Sequence, residues 1–351
     1  VSALGALGVT VGWELELLAP RGASRRTLAQ AYADRIGGTV HRIWLPQSEP
    51  SKVPGQETFE NLTLGFEVRH RDGSWALRCV DDLTLQADLR RQSAPEPGWY
   101  RVVGDDLRLL RLVTRVCDAD APLERVLDPI AALFGTEGKP GPGGMVRVAD
   151  DHDLPIAIAV PLPGERHRPC EVISPPLPPD QSRALLTTVL ELCDLLAFTV
   201  PRESATHLHL DASVVQSARA LRDLVRLWNS WGPTLKQRLR TNPACVRLGP
   251  IEAAVVQAVE APGFVELSWT QAREALREAR PSKYRDVNLR NLAFDIPGKG
   301  TLELRVLPTR LAPDAAWHAM ERLGAVVLLA QQGELPRNGD ALWSAIDARI
   351  G

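Results

Sequence analysis

Short runs that alternate apolar and polar residues are interleaved along the chain with longer stretches of helical spacing. Successive strand side chains point to opposite faces, so a period of two marks a sheet with two unlike faces. GWELELL at 12–18 predicts a first strand, followed across an APRGAS turn by a helix in which Leu28, Ala31, Tyr32, Arg35 and Ile36 share a face until Gly37 and Gly38 end it. Residues 41–60, with their prolines and glutamines, read as irregular. Two alternating segments around Asp72-Gly73 predict a hairpin. LERVLDPIAALFG predicts a short helix ending at Gly135, and GTEGKPGPGG at 135–144 a loop without regular structure.

MVRVADDHDLPIAIAV then reads as a hairpin, and CEVISPPLPPD as a strand stopped by prolines. A helix follows from about Asp180 to Phe198. THLHLDA is a short strand, and SVVQSARALRDLVRLWNSW a long amphipathic helix ending near Gly232-Pro233. SWTQAREALREAR opens with Ser268 three residues before Gln271, a capping box. KYRDVNLRNL, the strand GTLELRVLP and a final helix from Pro313 to about Gln332 close the series. The order predicts an α+β fold: an antiparallel or mixed sheet with helices on one face.

Composition narrows the classes. The chain has 351 residues, 44% hydrophobic and 24% charged, enough for a large core without staples. A formal charge of -2 argues against a general binder of nucleic acid or anionic membrane. The five cysteines are an odd number without a CxxC pair, which fits reduced thiols in a cytoplasmic protein better than disulfides or zinc. The apolar run LGAVVLLA at 323–330 is too short to span a membrane and reads as buried helix. The N-terminal residues lack the basic region of a signal peptide.

The polar faces of the predicted strands carry the chemistry. Glu14 and Glu16 share one face of the first strand; Thr301, Glu303 and Arg305 share one face of the last; His207, His209 and Asp211 share a third. Asp82, Thr84 and Gln86 oppose Leu83 and Leu85, and Glu171 opens a further strand. One such stripe is what any solvated sheet face looks like. Together, however, they concentrate Glu, His and Asp where an ordinary face mixes Lys, Ser and Thr. Neighbouring carboxylates repel unless a cation intervenes, and magnesium, which takes oxygen ligands and substrate phosphates, is the natural one. The HxH pair also occurs in metal-dependent amidohydrolases, but the further histidines such a zinc site needs are missing, and a purely structural pair is the plain alternative. Lys283, Arg285 and Arg290 lie before the Glu303 strand; isolated basic residues usually sit in solvent, yet a metal–triphosphate site needs such cations, and Asn288 adds a neutral hydrogen bond. Neither GxxxxGK[ST] nor GxGxxG is present, which disfavours P-loop and Rossmann sites.

In order, GWELEL, CEVISPPL, THLHLD, KYRDVNLRNL and GTLELRVLPTR resemble the amidoligase family, which is similar to glutamine synthetase and glutamate–cysteine ligase. The resemblance implies a single catalytic domain over 1–351 with an inserted subdomain or loop region at about 90–165. It implies a glutamine-synthetase-like sheet whose polar concave face binds ATP and Mg2+, or Mn2+ instead, with helices on the other face. Glu14, Glu16, Glu171 and Glu303 would be metal ligands, and His207 or His209 a contact to metal or phosphate. Arg305 would stabilise the transferred phosphoryl group, with Lys283, Arg285 and Asn288 around the nucleotide. Asp82 and Thr84 stand nearest the family's Asp-x-Ser segment, with Thr in place of Ser and DDHD at 150–153 as a rival. About 85 residues separate Thr84 from Glu171, a departure that bears on the acceptor-substrate pocket. Arg310 is the candidate clamp for a substrate carboxylate.

The implied reaction is ATP-dependent carboxylate–amine ligation through an acyl phosphate, on an amino acid or peptide. A glutamate–cysteine-ligase-like or kinase-like activity on a small metabolite is the alternative, as is a non-catalytic nucleotide- or peptide-binding homologue. The partners implied are a carboxylate and an amine substrate, with no nucleic acid and no membrane; no oligomer seam can be read.

Overall fold

The computed structural model describes residues 2–50, 58–104, 106–294 and 300–350. In chain order its strands are β1 (Val11–Leu18), β2 (Thr39–Pro50), β3 (Thr58–Arg69), β4 (Trp75–Val80), β5 (Tyr100–Val103), β6 (Lys139–Pro140), β7 (Val146–Ala149), β8 (Pro155–Pro161), β9 (Pro169–Ile173), β10 (Thr206–Asp211), β11 (Val287–Asn288) and β12 (Thr301–Leu307). The helices are α1 (Ala3–Leu7), α2 (Arg25–Ile36), α3 (Leu107–Val116), α4 (Asp128–Leu133), α5 (Pro179–Leu195), α6 (Ala218–Leu239), α7 (Ala253–Glu260), α8 (Trp269–Glu278), α9 (Arg290–Phe294), α10 (Pro313–Gln332) and α11 (Gly339–Asp347). The chain is thus mixed α/β, and it divides into two compact units: unit 1 is Val1–Glu16, Ile173–Leu195 and Arg202–Gly351, and unit 2 is Leu17–Val172 and Leu196–Pro201. The insertion expected at about 90–165 falls within unit 2.

In unit 1 the strand order is β11-β12-β10-β1, all antiparallel. The apolar faces carry Leu15, Leu208, Leu210, Leu302 and Leu304, all fully buried, each contributing about 2 kcal/mol of burial. Helices α6 and α10 lie against β12, and α10 also packs on α1 and α5. Residues 323–330 are buried within α10, as their apolar run predicts. Between β10 and β12 the register shifts: Leu208 faces Leu304 and Thr206 faces Leu307. Two residues of β12, Arg305 and Val306, therefore stand opposite the single residue His207, a bulge of the kind that re-aims a side chain.

In unit 2 the order is β9-β4-β3-β5-β8-β7-β6, with β2 pairing β3 along its whole length. A core of Trp44, Leu62, Leu64, Tyr100, Val102, Val148 and Ala159 packs with Leu110, Val113, Ile130 and Ala131 of α3 and α4. Helix α2 packs against β3 and β4.

Several expectations need correction. Residues 41–50 are strand, not irregular; β2 pairs only β3 among the described residues, so Pro46 and Pro50 sit on an edge where a missing N–H is tolerated. Residues 51–57 lie outside the described residues. Asp82 to Gln86 are not a strand: the Asp82 carboxylate accepts from the Thr84 N–H at 2.8 Å and from its hydroxyl, closing a turn. Helix α6 runs through Pro233 to Leu239 rather than stopping there. Pro233 is exposed, and the carbonyl it leaves unbonded is that of Asn229, also exposed and open to water. Lys139–Pro140 and a 3₁₀ turn at Pro142–Gly144 lend the glycine-rich loop slight order. The sequence pattern predicts no helix at α1, α3, α7, α9 or α11.

Candidate functional site

The site in unit 1 follows from strand register. Glu14 of β1 faces His207 of β10; His209 faces Glu303 of β12; Glu303 faces Asn288 of β11. Side chains that are far apart in sequence are thereby stacked on one face. His207 Nδ1 lies 2.7 Å from Glu14 Oε2 and 3.5 Å from Glu303 Oε1. His209 Nε2 lies 3.3 Å from Glu14 Oε1, and its Nδ1 lies 3.2 Å from the Thr301 hydroxyl. Asn288 donates to Glu303 Oε2 at 2.6 Å, and Arg305 donates to Glu303 Oε1. The bulge is anchored from outside the ladder: the Arg305 N–H donates to the Asp286 carbonyl at 2.9 Å, and the Val306 carbonyl accepts from Thr241 at 2.7 Å.

The electrostatics follow from these neighbours. Burial opposes ionisation of Glu14, but the charge of His209 and hydrogen bonds from His207 and His209 overcome it, holding the carboxyl well below the usual range. Burial likewise opposes charge on Glu303, and Arg305 with His209 lowers its pKa. Burial and then Arg305 push His207 down, whereas Glu14 outweighs burial at His209 and raises it. Glu303 in turn raises Arg305 against the cost of burial. The result is two carboxylates, a guanidinium and an imidazole that stays neutral and keeps its lone pair.

One oxygen or nitrogen from each of Glu14, His207, His209 and Glu303 lies within 4.8 Å of the others. The Nε2 of His207 is buried without a hydrogen-bond partner among the described residues. A convergent set of nitrogen and oxygen donors, the Nε2 of His207 among them, fits a divalent cation.

The other expected residues are spread more widely. Glu16 is fully buried; its oxygens accept from Arg247 at 2.9 and 2.8 Å and from the Ala205 N–H at 2.8 Å, with His207 Nε2 at 3.5 Å. Arg247 comes from the irregular segment between α6 and α7 and has no periodicity that sequence reading can use; only the buried carboxylate of Glu16 calls for it. Arg285 is ion-paired with Glu252 at 2.8 Å, Lys283 is exposed over the Tyr284 ring, and Arg290 is exposed beside Phe294. Arg310, half-buried past the end of β12, reaches the Leu239 carbonyl at 3.5 Å. Asp82, Thr84 and Glu171 belong to unit 2, the last on β9.

Residues 8–323 match the family model described as "Putative amidoligase enzyme". The chain belongs to this amidoligase family. No curated protein and no solved structure matches it. The amidoligase match spans every residue of the unit 1 cluster, from Glu14 to Arg305. Among the described residues of this amidoligase no helix is long and apolar enough to cross a membrane, and its five cysteines are buried and free.

Proposed function

We propose that the chain is an ATP-dependent carboxylate–amine ligase with a glutamine-synthetase-like sheet, joining an amino acid or peptide carboxylate to an amine through an acyl phosphate. The convergence of Glu14, His207, His209 and Glu303 beside Arg305 carries this reading. Those four side chains would hold a divalent cation, and the two imidazoles favour Mn2+ over Mg2+, which prefers oxygen alone. Such a cation, when bound, neutralises charge on phosphate oxygens. Arg305, fixed by Glu303 and by its bulge, presents a guanidinium to the transferred phosphoryl oxygens and then to the oxyanion formed as the amine attacks. Asn288 holds Glu303 and acts through it. Arg310, whose Nε has no hydrogen-bond partner among the described residues, takes the substrate carboxylate.

The reading is tested by thermal unfolding with a non-hydrolysable ATP analogue, with and without Mn2+ or Mg2+. A ligand at about 100 times its dissociation constant adds about 2.7 kcal/mol to stability. Wild type should shift only when cation and nucleotide are both present, and Glu14→Gln should not shift. A cation-independent shift that survives in Glu14→Gln would instead favour a nucleotide-binding homologue without catalysis. Glu14 is a better choice than Glu16, whose replacement strands the Arg247 charge.

A further inference from the structure

We propose that unit 2 carries a binding site of its own, for a small carboxylate with an aliphatic side chain. A cavity of about 280 Å³ lies beside the segment 162–166. Leu83, Leu89 and Leu162 form its apolar wall, and Arg91, Arg101 and Arg166 bring three guanidinium groups to its lining. The acid in that lining, Glu165, is already matched by Arg168, by Arg21 at 3.2 Å and by the Arg90 N–H at 3.2 Å, so it leaves the cationic character in place. Arg166 is held rigidly, donating to the carbonyls of Leu85 at 2.7 Å and Asp82 at 2.9 Å and to the Asp81 carboxylate, while its buried Nε has no hydrogen-bond partner among the described residues.

Size and charge together define the ligand. The volume is just below the range of about 300–1,000 Å³ that holds drug-sized molecules, which suits one amino-acid-sized group. Guanidinium groups recognise carboxylates through paired, charge-assisted hydrogen bonds, and leucines beside them take the aliphatic portion. An apolar amino-acid residue with its carboxylate free meets both demands.

The experiment uses the full chain without nucleotide or metal, so its failure leaves the ligase reading untouched. Binding of N-acetyl-L-leucine is compared by calorimetry with that of N-acetyl-L-leucinamide, which differs only in charge, and with N-acetylglycine, which lacks the side chain. The leucine acid should bind at least about tenfold more tightly than either. Arg91→Gln, at an exposed position, should weaken it by about tenfold, and Leu89→Trp should fill the cavity and abolish it. Acid and amide binding equally, no binding of the acid at millimolar concentration, or wild-type affinity in both variants would overturn the proposal.

Discussion

Arg25 in unit 2 and Glu14 in unit 1 are both charges taken largely out of water, and their surroundings differ in kind. Arg25 is completely buried. It donates to the carbonyls of Leu64 at 2.9 Å, Arg166 at 2.8 Å and Pro169 at 3.3 Å, lies 4.5 Å from the Trp99 ring centroid, and is paired with Asp81 at 3.8 Å. Its contacts are mostly to main chain, which fixes strands and loops and leaves little for a ligand to engage. Even so, burial brings its pKa down to about 10. Around Glu14 the contacts are all between side chains, two carboxylates compete for the same cations, and the Nε2 of His207 makes no hydrogen bond among the described residues. Burial of charge is thus shared by a structural hub and a candidate site; what separates them is whether the hydrogen bonds run to main chain, which fixes the fold, or among side chains that converge on one another.

Substitutions can break this contrast. Arg25→Met should be the most damaging, lowering unfolding free energy by about 4 kcal/mol through unmet carbonyls and a weakened Asp81 partner; the surviving folded fraction should still respond to Mn2+ and nucleotide. A loss below about 1 kcal/mol in denaturant titration would show that the hub does not hold unit 2 together. Glu16→Gln should cost about 2–3 kcal/mol by stranding the Arg247 charge, and Arg247→Gln should cost a similar amount, with the double variant less damaging than the sum. Strict additivity would mean the two do not act as a pair. Glu14→Gln should cost only about 1–2 kcal/mol of cation-free stability, because it weakens hydrogen bonds yet relieves repulsion with Glu303. A loss as large as that of Arg25→Met would assign Glu14 to the scaffold.

Glu67→Gln should have the smallest effect. Burial opposes ionisation of Glu67, but hydrogen bonds from Arg69 and Arg78 at 2.7 and 2.8 Å outweigh it and lower its pKa. A depressed carboxyl pKa stabilises the fold above the unfolded value and loses that contribution as pH falls through the folded one. Both arginines are more than a third exposed, so the variant should be less stable by at most about 1 kcal/mol at pH 7. The difference should shrink as pH falls below the ordinary glutamate range and through the lowered folded-state value, where Glu67 protonates. An unchanged difference at low pH in urea titrations would remove the charge from the explanation.

Period-two alternation made the polar faces of β1, β10 and β12 legible, because each strand face is set by its own few residues. Strand alternation places Glu14, His207 and Glu303 on faces; it does not say which strands are neighbours, and the register that brings them within reach is a long-range property. Arg247 was invisible because its role depends on the burial of a residue more than 200 positions away. The misreading at 81–86 has a local cause: two leucines spaced by polar residues look like a strand until the Asp82 side chain captures the Thr84 backbone. In β2 the prolines read as breakers, though an edge strand accommodates them.

The bulge in β12 also has an implication for insertions and deletions. Because Arg305 and Val306 together face His207, Leu307 returns to the same apolar side as Leu304. Excision of Val306 would leave a regular alternation in which that leucine still points into the core, while the anchoring of Val306 to Thr241 disappears and Arg305 takes up an ordinary ladder position. A one-codon deletion at this point would therefore spare most of the hydrophobic frame and alter the setting of the guanidinium, a lesion in aim more than in architecture.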